Sequence, residues 1–301
     1  MRYPTYLNFD IKELGKRANT ALWMLKKCHV CPKNCKTNRL KDERNGFCRL
    51  GRFASVAAYH PHFGEERPLV GHGGSGTIFF AHCNLACVYC QNFDVSQLDK
   101  GDEVSPQALA EIMITLQNRG CENINFVTPT PNVPQILEAL PIAIQQGLNL
   151  PLVYNTSCYD SVESLKLLEG IIDIYMPDLK YSDSQIAQKY SVAPRYFEIA
   201  KEAIKEMHRQ VGDLQFDREG IAYRGLLIRH LILPGDLAGS RQIMQFISKE
   251  ISPNSYVNVM RQYYPYFRAQ KYPELARRIT PREFNETLQL ARQEGLKRIY
   301  Y

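Results

Sequence analysis

The sequence of 301 residues has no apolar run of the roughly eighteen residues that a transmembrane helix requires. Its first residues, Met1-Arg2-Tyr3-Pro4-Thr5-Tyr6, lack the apolar core of a secretory signal peptide. The formal net charge of +6 is spread along the chain, so it does not call for a nucleic-acid partner. These absences predict a cytoplasmic protein that is not attached to a membrane.

Cysteine, by contrast, is abundant, with nine residues in the chain. Without a secretory signal, these cysteines indicate metal or redox chemistry in a reducing compartment and argue against a disulfide framework. Most of them fall into two groups. Cys121 and Cys158 are isolated, and we interpret Cys158 as a partly buried thiol in a loop.

The C-x₃-C-x₂-C run of Cys83, Cys87 and Cys90 follows a strand-like apolar segment at residues 77–80. Three thiolates leave a tetrahedral zinc shell incomplete, but they can hold three corners of a [4Fe–4S] cube and leave the fourth iron open for another ligand. A zinc site completed by His82 and a set of buried thiols without metal are the alternatives.

A second group of four cysteines lies in a segment rich in turn-forming residues, after a predicted helix over residues 8–27. It has the spacing C-x₂-C-x₃-C-x₁₂-C and consists of Cys28, Cys31, Cys35 and Cys48. Because the segment lacks an apolar core of its own, the pattern predicts a metal site. Four thiolates suit a zinc ion or a second iron–sulfur cluster, and the spacing does not decide between them. Reduced thiols without metal are the third possibility.

From residue 76 onward, short apolar runs alternate with helical patterns, which predicts parallel βα units. The predicted strands cover residues 77–80, 124–127, 152–154, 171–175, 225–233 and 256–260. A helix from Ser105 to Arg119 has clear end signals, with Pro106 at its first position and Gly120 after its end. Parallel strands with right-handed crossovers curl into an open barrel, whose catalytic residues lie at the carboxyl ends of the strands.

The domain prediction has three parts. Residues 1–75 form an N-terminal helix, a small cysteine-rich metal-binding segment and a connector. Residues 76–262 form an α/β core of six βα units. Residues 263–301 form a helical and aromatic extension.

The cysteine run, with Tyr89 at its aromatic position, resembles the defining motif of the radical S-adenosylmethionine (SAM) superfamily. Within it, the chain resembles activating enzymes of glycyl radical enzymes, such as the pyruvate formate-lyase activating enzyme, and their uncharacterised relatives. That resemblance covers nearly the whole chain. It is carried by the C-x₂-C-P-x₂-C run that begins at Cys28 and by residues 154–156, 173–180 and 229–235.

This resemblance implies a partial (β/α)₆ barrel, a [4Fe–4S] cluster on Cys83, Cys87 and Cys90, and SAM on the open iron. It implies reductive cleavage of SAM to a 5′-deoxyadenosyl radical that abstracts hydrogen from a substrate. A glycyl residue of a partner enzyme is one implied substrate; a small molecule, a peptide or a nucleic-acid base is the other. An electron donor such as flavodoxin or ferredoxin is an implied partner. A non-catalytic iron–sulfur or zinc protein is the remaining alternative.

Polar residues near the predicted strand ends are the candidates for contacts with SAM. Asp178 and Lys180 alternate along an extended chain and therefore point to the same face, where they suit a zwitterionic ligand or a cation. Arg229 is a charged residue in an otherwise apolar strand. A structural ion pair is the alternative for these three residues. The complete set of predicted SAM contacts is Tyr89, Thr128, Asn155, Thr156, Asp178, Lys180 and Arg229.

The resemblance also implies a monovalent cation site formed by Asn155, Thr156, the Met176 carbonyl and Asp178, although Asn155 stands where the activase has a carboxylate. A second departure follows the second strand. Most of the superfamily has a Gly-Gly-Glu run there that holds the SAM amino group, whereas this chain has Val127-Thr128-Pro129-Thr130-Pro131. This segment offers hydroxyl and carbonyl groups but no carboxylate.

Overall fold

A computed structural model describes residues 4–301, so the first three residues of the predicted N-terminal segment lie outside the described part. Helix α1 (Ile11–Trp23) begins after Asp10, whose carboxylate accepts a hydrogen bond from the Lys12 amide (2.6 Å). A 3₁₀ turn, Met24–Lys27, leads into the cysteine-rich segment. The predicted helix over residues 8–27 is thus confirmed in its centre.

The described residues contain ten strands that form one sheet. They are β1 (Ala54–His62), β2 (Ser75–Phe80), β3 (Asp102–Val104), β4 (Ile124–Val127), β5 (Leu152–Thr156), β6 (Ile174–Pro177), β7 (Gln215–Phe216), β8 (Ala222–Leu231), β9 (Tyr256–Met260) and β10 (Arg298–Tyr300). The order is β10-β9-β8-β6-β5-β4-β2-β1-β3, and β7 pairs with β8 outside this path. All neighbours from β10 to β2 are parallel, whereas β1 and β3 extend the β2 edge in antiparallel fashion. The result is an α/β fold with a mostly parallel sheet.

Helices connect the strands. After α1 they are α2 (Arg67–Val70), α3 (Phe93–Gln97), α4 (Pro106–Asn118), α5 (Val133–Gln145), α6 (Val162–Leu167), α7 (Ser184–Ser191), α8 (Tyr196–Val211), α9 (Ser240–Phe246) and α10 (Pro281–Gln293). A π-helical turn, Ile247–Ile251, follows α9. Helix α1 packs against α5.

Several predicted elements are confirmed to the residue. Strands 124–127 and 256–260 occur as predicted. Ser105 is the N-cap of α4, and its hydroxyl accepts a hydrogen bond from the Ala108 amide (3.1 Å). These signals depend on side-chain patterns and on contacts between residues close in sequence, which explains their success.

The strand predicted over residues 171–175 begins three residues and ends two residues too early, because β6 spans Ile174–Pro177. Ile171 and Ile172 belong to the preceding turn, yet both are buried. Their apolar side chains are buried in the core, although the two residues lie outside the strand. Hydrophobic periodicity alone does not distinguish a buried turn from a strand.

Two separate helices, α7 and α8, cover the part of the chain after β6, with a break between Ser191 and Tyr196. Val192 and Arg195, on either side of Ala193-Pro194, adopt left-handed backbone conformations. Proline disfavours a helical conformation in the residue before it, which is consistent with a break at this point.

The C-terminal region contains a helix and a strand whose bounds were not predicted. Helix α10 begins with a capping box, in which Thr280 and Glu283 exchange hydrogen bonds, and with Pro281 at its first position. Strand β10 then adds a further parallel strand beside β9.

The sheet curves around a pair of acidic residues from the connector between β1 and β2. Strands β4 and β9 are four positions apart, which would separate them by about 19 Å in a flat sheet. Nevertheless Glu65 accepts a hydrogen bond from Asn125 on β4 (3.0 Å), and its neighbour Glu66 accepts one from Asn258 on β9 (2.8 Å). The parallel strands therefore form an open barrel, and the connector enters its interior.

The floor of this barrel is apolar. Leu69 of α2 is fully buried and packs with residues near the amino ends of the strands, including Val153, Ile174 and Tyr256. The polar side chains Asn155, Asp178 and Arg229 lie nearer the carboxyl ends. The arrangement closes one end of the barrel and leaves a charged mouth at the other.

Candidate active site

Strand β2 delivers the chain into the loop that carries the three clustered cysteines. Each thiol has a polar neighbour, in the pairs Cys83 Sγ and Leu85 N (3.3 Å), Cys87 Sγ and Ser191 Oγ (3.0 Å), and Cys90 Sγ and Ser96 Oγ (3.2 Å). All three thiols belong to the loop of residues 83–90, in which the Cys90 amide donates to the Cys87 carbonyl (3.1 Å). Burial raises the pKa of Cys83 to about 12 and that of Cys87 to about 11. Metal ligation would deprotonate these thiols.

The cysteine loop is anchored to the barrel by Tyr89, the aromatic residue of the motif. Its hydroxyl donates a hydrogen bond to the Tyr181 hydroxyl (2.6 Å), and its ring packs edge-on against Tyr263. The Val88 amide donates to the Tyr190 carbonyl (2.8 Å). The Tyr89 side chain is buried and therefore holds the loop in place.

A charged network occupies the barrel mouth beside this loop, and Asp178 is its centre. Arg229 Nε lies 2.6 Å from Asp178 Oδ1, and Lys180 Nζ lies 2.9 Å from Oδ2. Arg229 also donates to Glu65 Oε1 (2.9 Å) and to Asn155 Oδ1 (2.8 Å). Burial by itself would raise the pKa of Asp178, but the charges of Arg229 and Lys180 lower it to about 2.

Lys180 connects the network to the cysteine loop. Its charge acts on the thiols of Cys83 and Cys87, where it favours the thiolate form. The structure therefore joins four predicted site residues, Asn155, Asp178, Lys180 and Arg229, in one network. Tyr181, which follows Lys180, is hydrogen-bonded to Tyr89 of the cysteine loop.

The hydroxyl of Thr156, another predicted site residue, is directed elsewhere. It donates to the buried Asp160 carboxylate (2.6 Å), which also accepts hydrogen bonds from Thr130 (2.8 Å) and Tyr154 (2.9 Å). Its carbonyl accepts a hydrogen bond from the Asp178 amide (2.8 Å). The hydroxyl and the carbonyl of Thr156 therefore bind other protein groups at the carboxyl ends of β5 and β6.

Thr128, in the segment that replaces Gly-Gly-Glu, has a left-handed backbone with φ of 61°. This conformation is unfavourable for a β-branched residue and easy for glycine. The Thr128 amide donates to the Asn155 carbonyl (3.0 Å), so the bend lies directly above the charged network. The loop therefore has a glycine-like conformation without a glycine.

We expect Thr128→Gly to raise the free energy of unfolding by about 1 kcal/mol, because it relieves an unfavourable left-handed conformation. The matched control is Thr20→Gly, at an exposed position in α1, which should lower it by a few tenths of a kcal/mol. Urea denaturation of both variants measures the difference. Destabilisation by Thr128→Gly as large as that of the control would contradict the strain.

Glu65 and Glu66 are site residues that the sequence analysis missed. They lie in a connector interrupted by Gly64 and Pro68, where only the adjacency of two carboxylates could have drawn attention. Burial raises the pKa of Glu66. Asn125, a further candidate for SAM contact from its position in the second predicted strand, is fully buried, and its Oδ1 atom has no hydrogen-bond partner.

The second cysteine group lines one pocket, formed by Cys28, Cys31, Cys35 and Cys48 together with neighbouring residues. The Cys28 amide and carbonyl bond to Thr37 (2.8 Å) and Lys36 (2.9 Å), and the Phe47 amide donates to Cys35 Sγ (3.3 Å). Within residues 4–301, no three or more His, Cys, Asp or Glu side chains are grouped as a site ready to hold a metal ion.

His82, the alternative zinc ligand, and His29, which lies between two of the N-terminal cysteines, have other neighbours. His29 Nδ1 lies 2.8 Å from the Lys27 carbonyl, and its side chain is 37% exposed. His82 Nδ1 lies 3.1 Å from Asp99 Oδ1, which also binds Arg49. Neither contact involves a thiol.

No helix in the part of the chain that the structure describes combines the length and the apolar character needed to cross a membrane.

The sequence-family model of the radical SAM superfamily matches residues 77–217 of this chain. The matched segment includes the cysteine loop and Asp178. A relative, the protein MJ0674 of Methanocaldococcus jannaschii, is 34% identical over 311 residues, which cover 97% of this chain and 85% of the relative. MJ0808 of the same organism is 21% identical over 91% of this chain and 80% of its own length. Both relatives are described as uncharacterised.

Among solved structures, the FeFe-hydrogenase maturase HydG from Carboxydothermus hydrogenoformans has a similar fold, with a TM-score of 0.51 and 12% sequence identity. The similarity covers 73% of this chain and 51% of HydG. At this identity it concerns the fold alone.

Proposed function

Because the chain belongs to the radical SAM superfamily, whose members are enzymes that use a [4Fe–4S] cluster and SAM, we propose that Cys83, Cys87 and Cys90 hold that cluster. The observation that carries this proposal is that all three thiols lie on the loop after β2 and that each has a polar neighbour. When bound, the cluster and SAM together supply the radical that abstracts hydrogen from a substrate.

We further propose that residues 76–262 are the partial barrel of six βα units, with β10 added at its edge. The curvature of the sheet around Glu65 and Glu66 supports this assignment. The barrel brings the cysteine loop after β2 and the network after β6 to the same end, which suits a reaction at the carboxyl ends of the strands.

In this proposal the charged network binds the amino-acid end of SAM. Lys180 and Arg229 offer donors to a carboxylate, and Asp178 and Glu65 offer acceptors to an ammonium group. The positive charges of the two cations equal the negative charges of the two carboxylates. A zwitterion can therefore replace the existing ion pairs without leaving a net charge buried in the site. Tyr89 and Thr128 remain candidates through their backbone groups.

Arg229→Lys is expected to weaken SAM binding by about 10- to 100-fold, because lysine cannot reproduce the fork that contacts Asp178, Glu65 and Asn155 together. Arg52→Lys is the matched control, since Arg52 pairs with Glu138 (2.6 Å) outside this network. The SAM concentration that changes the EPR spectrum of the reduced protein measures the affinity. Unchanged affinity in Arg229→Lys would favour the structural ion pair.

For the substrate, we propose a glycyl residue of a partner enzyme. The resemblance to activating enzymes supports this assignment, and so does an aromatic rim beside the cysteine loop. Tyr264 and Tyr266 of this rim are half-exposed, and the Arg268 amide after it donates to the Val88 carbonyl of the loop (2.9 Å). An exposed rim of this kind suits contact with a macromolecule.

A small polar molecule with several hydrogen-bond donors is the second candidate substrate. The unpartnered Asn125 Oδ1 atom and the Glu66 carboxylate, both directed to the barrel interior, favour it. In either case the enzyme needs a one-electron donor, for which flavodoxin or ferredoxin is the proposed class.

The test is anaerobic reconstitution with iron and sulfide, followed by dithionite and SAM, with 5′-deoxyadenosine as the product measured. Pyruvate formate-lyase serves as the probe for the activase proposal, since its glycyl radical has its own EPR signal. Release of 5′-deoxyadenosine is the expected result. A fully loaded protein that neither releases 5′-deoxyadenosine nor changes its EPR spectrum with SAM would overturn the proposed function.

A further inference from the structure

The pocket of the four N-terminal cysteines borders the loop of the proposed SAM site. Its lining includes Asn84, which directly follows Cys83 in the sequence. Asn84 is fully buried, and its amide group donates to the Tyr159 carbonyl (2.7 Å). Two groups of thiols that are widely separated in sequence are therefore neighbours in the structure.

This pocket contains a buried cation with an unused donor. Arg39 is 1% exposed and lines the pocket, and it donates from Nε to the Gly51 carbonyl (3.0 Å) and from Nη1 to the Pro131 carbonyl (2.9 Å). Its Nη2 atom is buried and has no partner. A guanidinium N–H left unpaired inside a protein is costly, so this atom indicates an acceptor or negative charge that belongs in the pocket. A metal centre with four thiolates carries such a charge.

Lys33 lies between the two thiol groups. Its ammonium hydrogen bonds to the Val192 carbonyl and lies 3.6 Å from the centre of the Phe47 ring. Val192 follows Ser191, whose hydroxyl contacts Cys87. The charge of Lys33 acts on Cys31 and Cys35 on one side and on Cys83 and Cys87 on the other.

We propose that Cys28, Cys31, Cys35 and Cys48 hold a second iron–sulfur cluster, which passes electrons to the SAM site across the contact formed by Lys33 and Asn84. This inference rests on the proposed function. A reduced donor protein of the flavodoxin or ferredoxin class gives one electron to the second cluster. That electron then reduces the first cluster and leaves the second oxidised again, with no bond made or broken.

A structural zinc ion explains the placement less well. Zinc has no redox chemistry, and it typically stabilises small segments that lack a core. Here the segment is already packed, since Leu25, Cys28 and Val30 belong to the main hydrophobic core. The SAM site, by contrast, must receive an electron in every reductive cleavage, and a second cluster beside it would supply that electron.

Metal content tests the second site independently of activity. After anaerobic reconstitution, the wild-type protein should hold about eight irons per chain, if both groups carry four-iron clusters. The variant with Cys83, Cys87 and Cys90 all changed to alanine should retain about four, with an EPR signal that does not respond to SAM. One zinc and no iron in that variant would overturn the proposal.

The reciprocal variant, Cys35→Ala with Cys48→Ala, separates this inference from the proposed function. It should keep the SAM-responsive signal and release 5′-deoxyadenosine with dithionite, but lose most of its activity with reduced flavodoxin as the donor. Equal loss with both reductants would argue against a relay. Absence of a SAM response even with a full first cluster would instead contradict the proposed function.

A third measurement compares the EPR spectrum of the wild-type protein with those of the two variants. When both clusters are reduced, their unpaired electrons should interact, so the EPR spectrum should be broader than the sum of the spectra of the two variants. Lys33→Gln, which removes the shared charge, should shift the reduction potentials of both clusters to more negative values, because a cation favours the reduced form. A shift of only one potential would contradict the shared contact.

Discussion

Replacing Cys87 with alanine is expected to lower the release of 5′-deoxyadenosine by more than about 100-fold, a loss of at least roughly 2.7 kcal/mol of catalytic stabilisation. The physical reason is that three thiolates bind three irons of the cube and leave the fourth iron open for SAM. Without Cys87, a second iron has no protein ligand. Loss of Cys87 also removes the acceptor of the Ser191 hydroxyl (3.0 Å). The same samples should lose the SAM-dependent change in their EPR spectrum.

Cys121→Ala is the matched control for this experiment. Cys121 is 4% exposed and lies in neither cysteine group, so its replacement removes a buried thiol without removing a proposed ligand. Iron content and product release should stay near those of the wild-type protein. If Cys87→Ala retained both, or if Cys121→Ala lost both, the assignment of the first cluster would be wrong.

Asp178→Ala is expected to lower the free energy of unfolding by about 3–5 kcal/mol, measured by urea denaturation. Asp178 neutralises both Arg229 (2.6 Å) and Lys180 (2.9 Å), and its removal leaves two largely buried cations with one fewer carboxylate. Glu286→Ala is the control, because it removes an exposed ion pair with Arg282 (2.7 Å) and should cost no more than about 0.5 kcal/mol. Similar losses in the two variants would show that the network contributes little.

The pH dependence of this difference follows from the depressed pKa of Asp178. In the folded protein the pKa is about 2, compared with an ordinary value of 3.8. The stabilisation by Asp178 is therefore complete above pH 4 and is lost as the pH falls from 4 towards 2. The wild-type protein and Asp178→Ala should differ most near neutral pH and least at pH 2. A difference that grows on acidification would contradict the ion network.

The prediction of the superfamily from the sequence is confirmed. It succeeded because the cysteine motif that identifies the superfamily consists of residues close together in the chain. The three cysteines lie within one loop, and their spacing is set by the cluster that they would share. Strand β4 and the N-cap at Ser105 were also predictable, because periodicity and capping depend on neighbouring residues. The prediction of β6 failed because burial in a turn gives the same apolar pattern as a strand.

Other predicted residues needed the structure to show how they are used. Asp178 and Lys180 were expected to share a face, and they form an ion pair there. The sequence did not show that Arg229 would share the same carboxylate, or that the Tyr89 side chain would pack in the core. These contacts depend on the distance between strands and not on the spacing along one strand.

The alternation of strands and helices, the two cysteine groups and the chemistry of three clustered thiolates can all be inferred from the sequence. The folded structure is needed to show that Glu65 and Glu66 of the connector enter the barrel, and that the four N-terminal cysteines lie against the loop of the other three. Both features depend on the curvature of the sheet, because it brings together residues that no local pattern relates. Side-chain periodicity indicates which face of a strand is buried. It does not indicate which residues of other strands lie against that face, and those residues form the site.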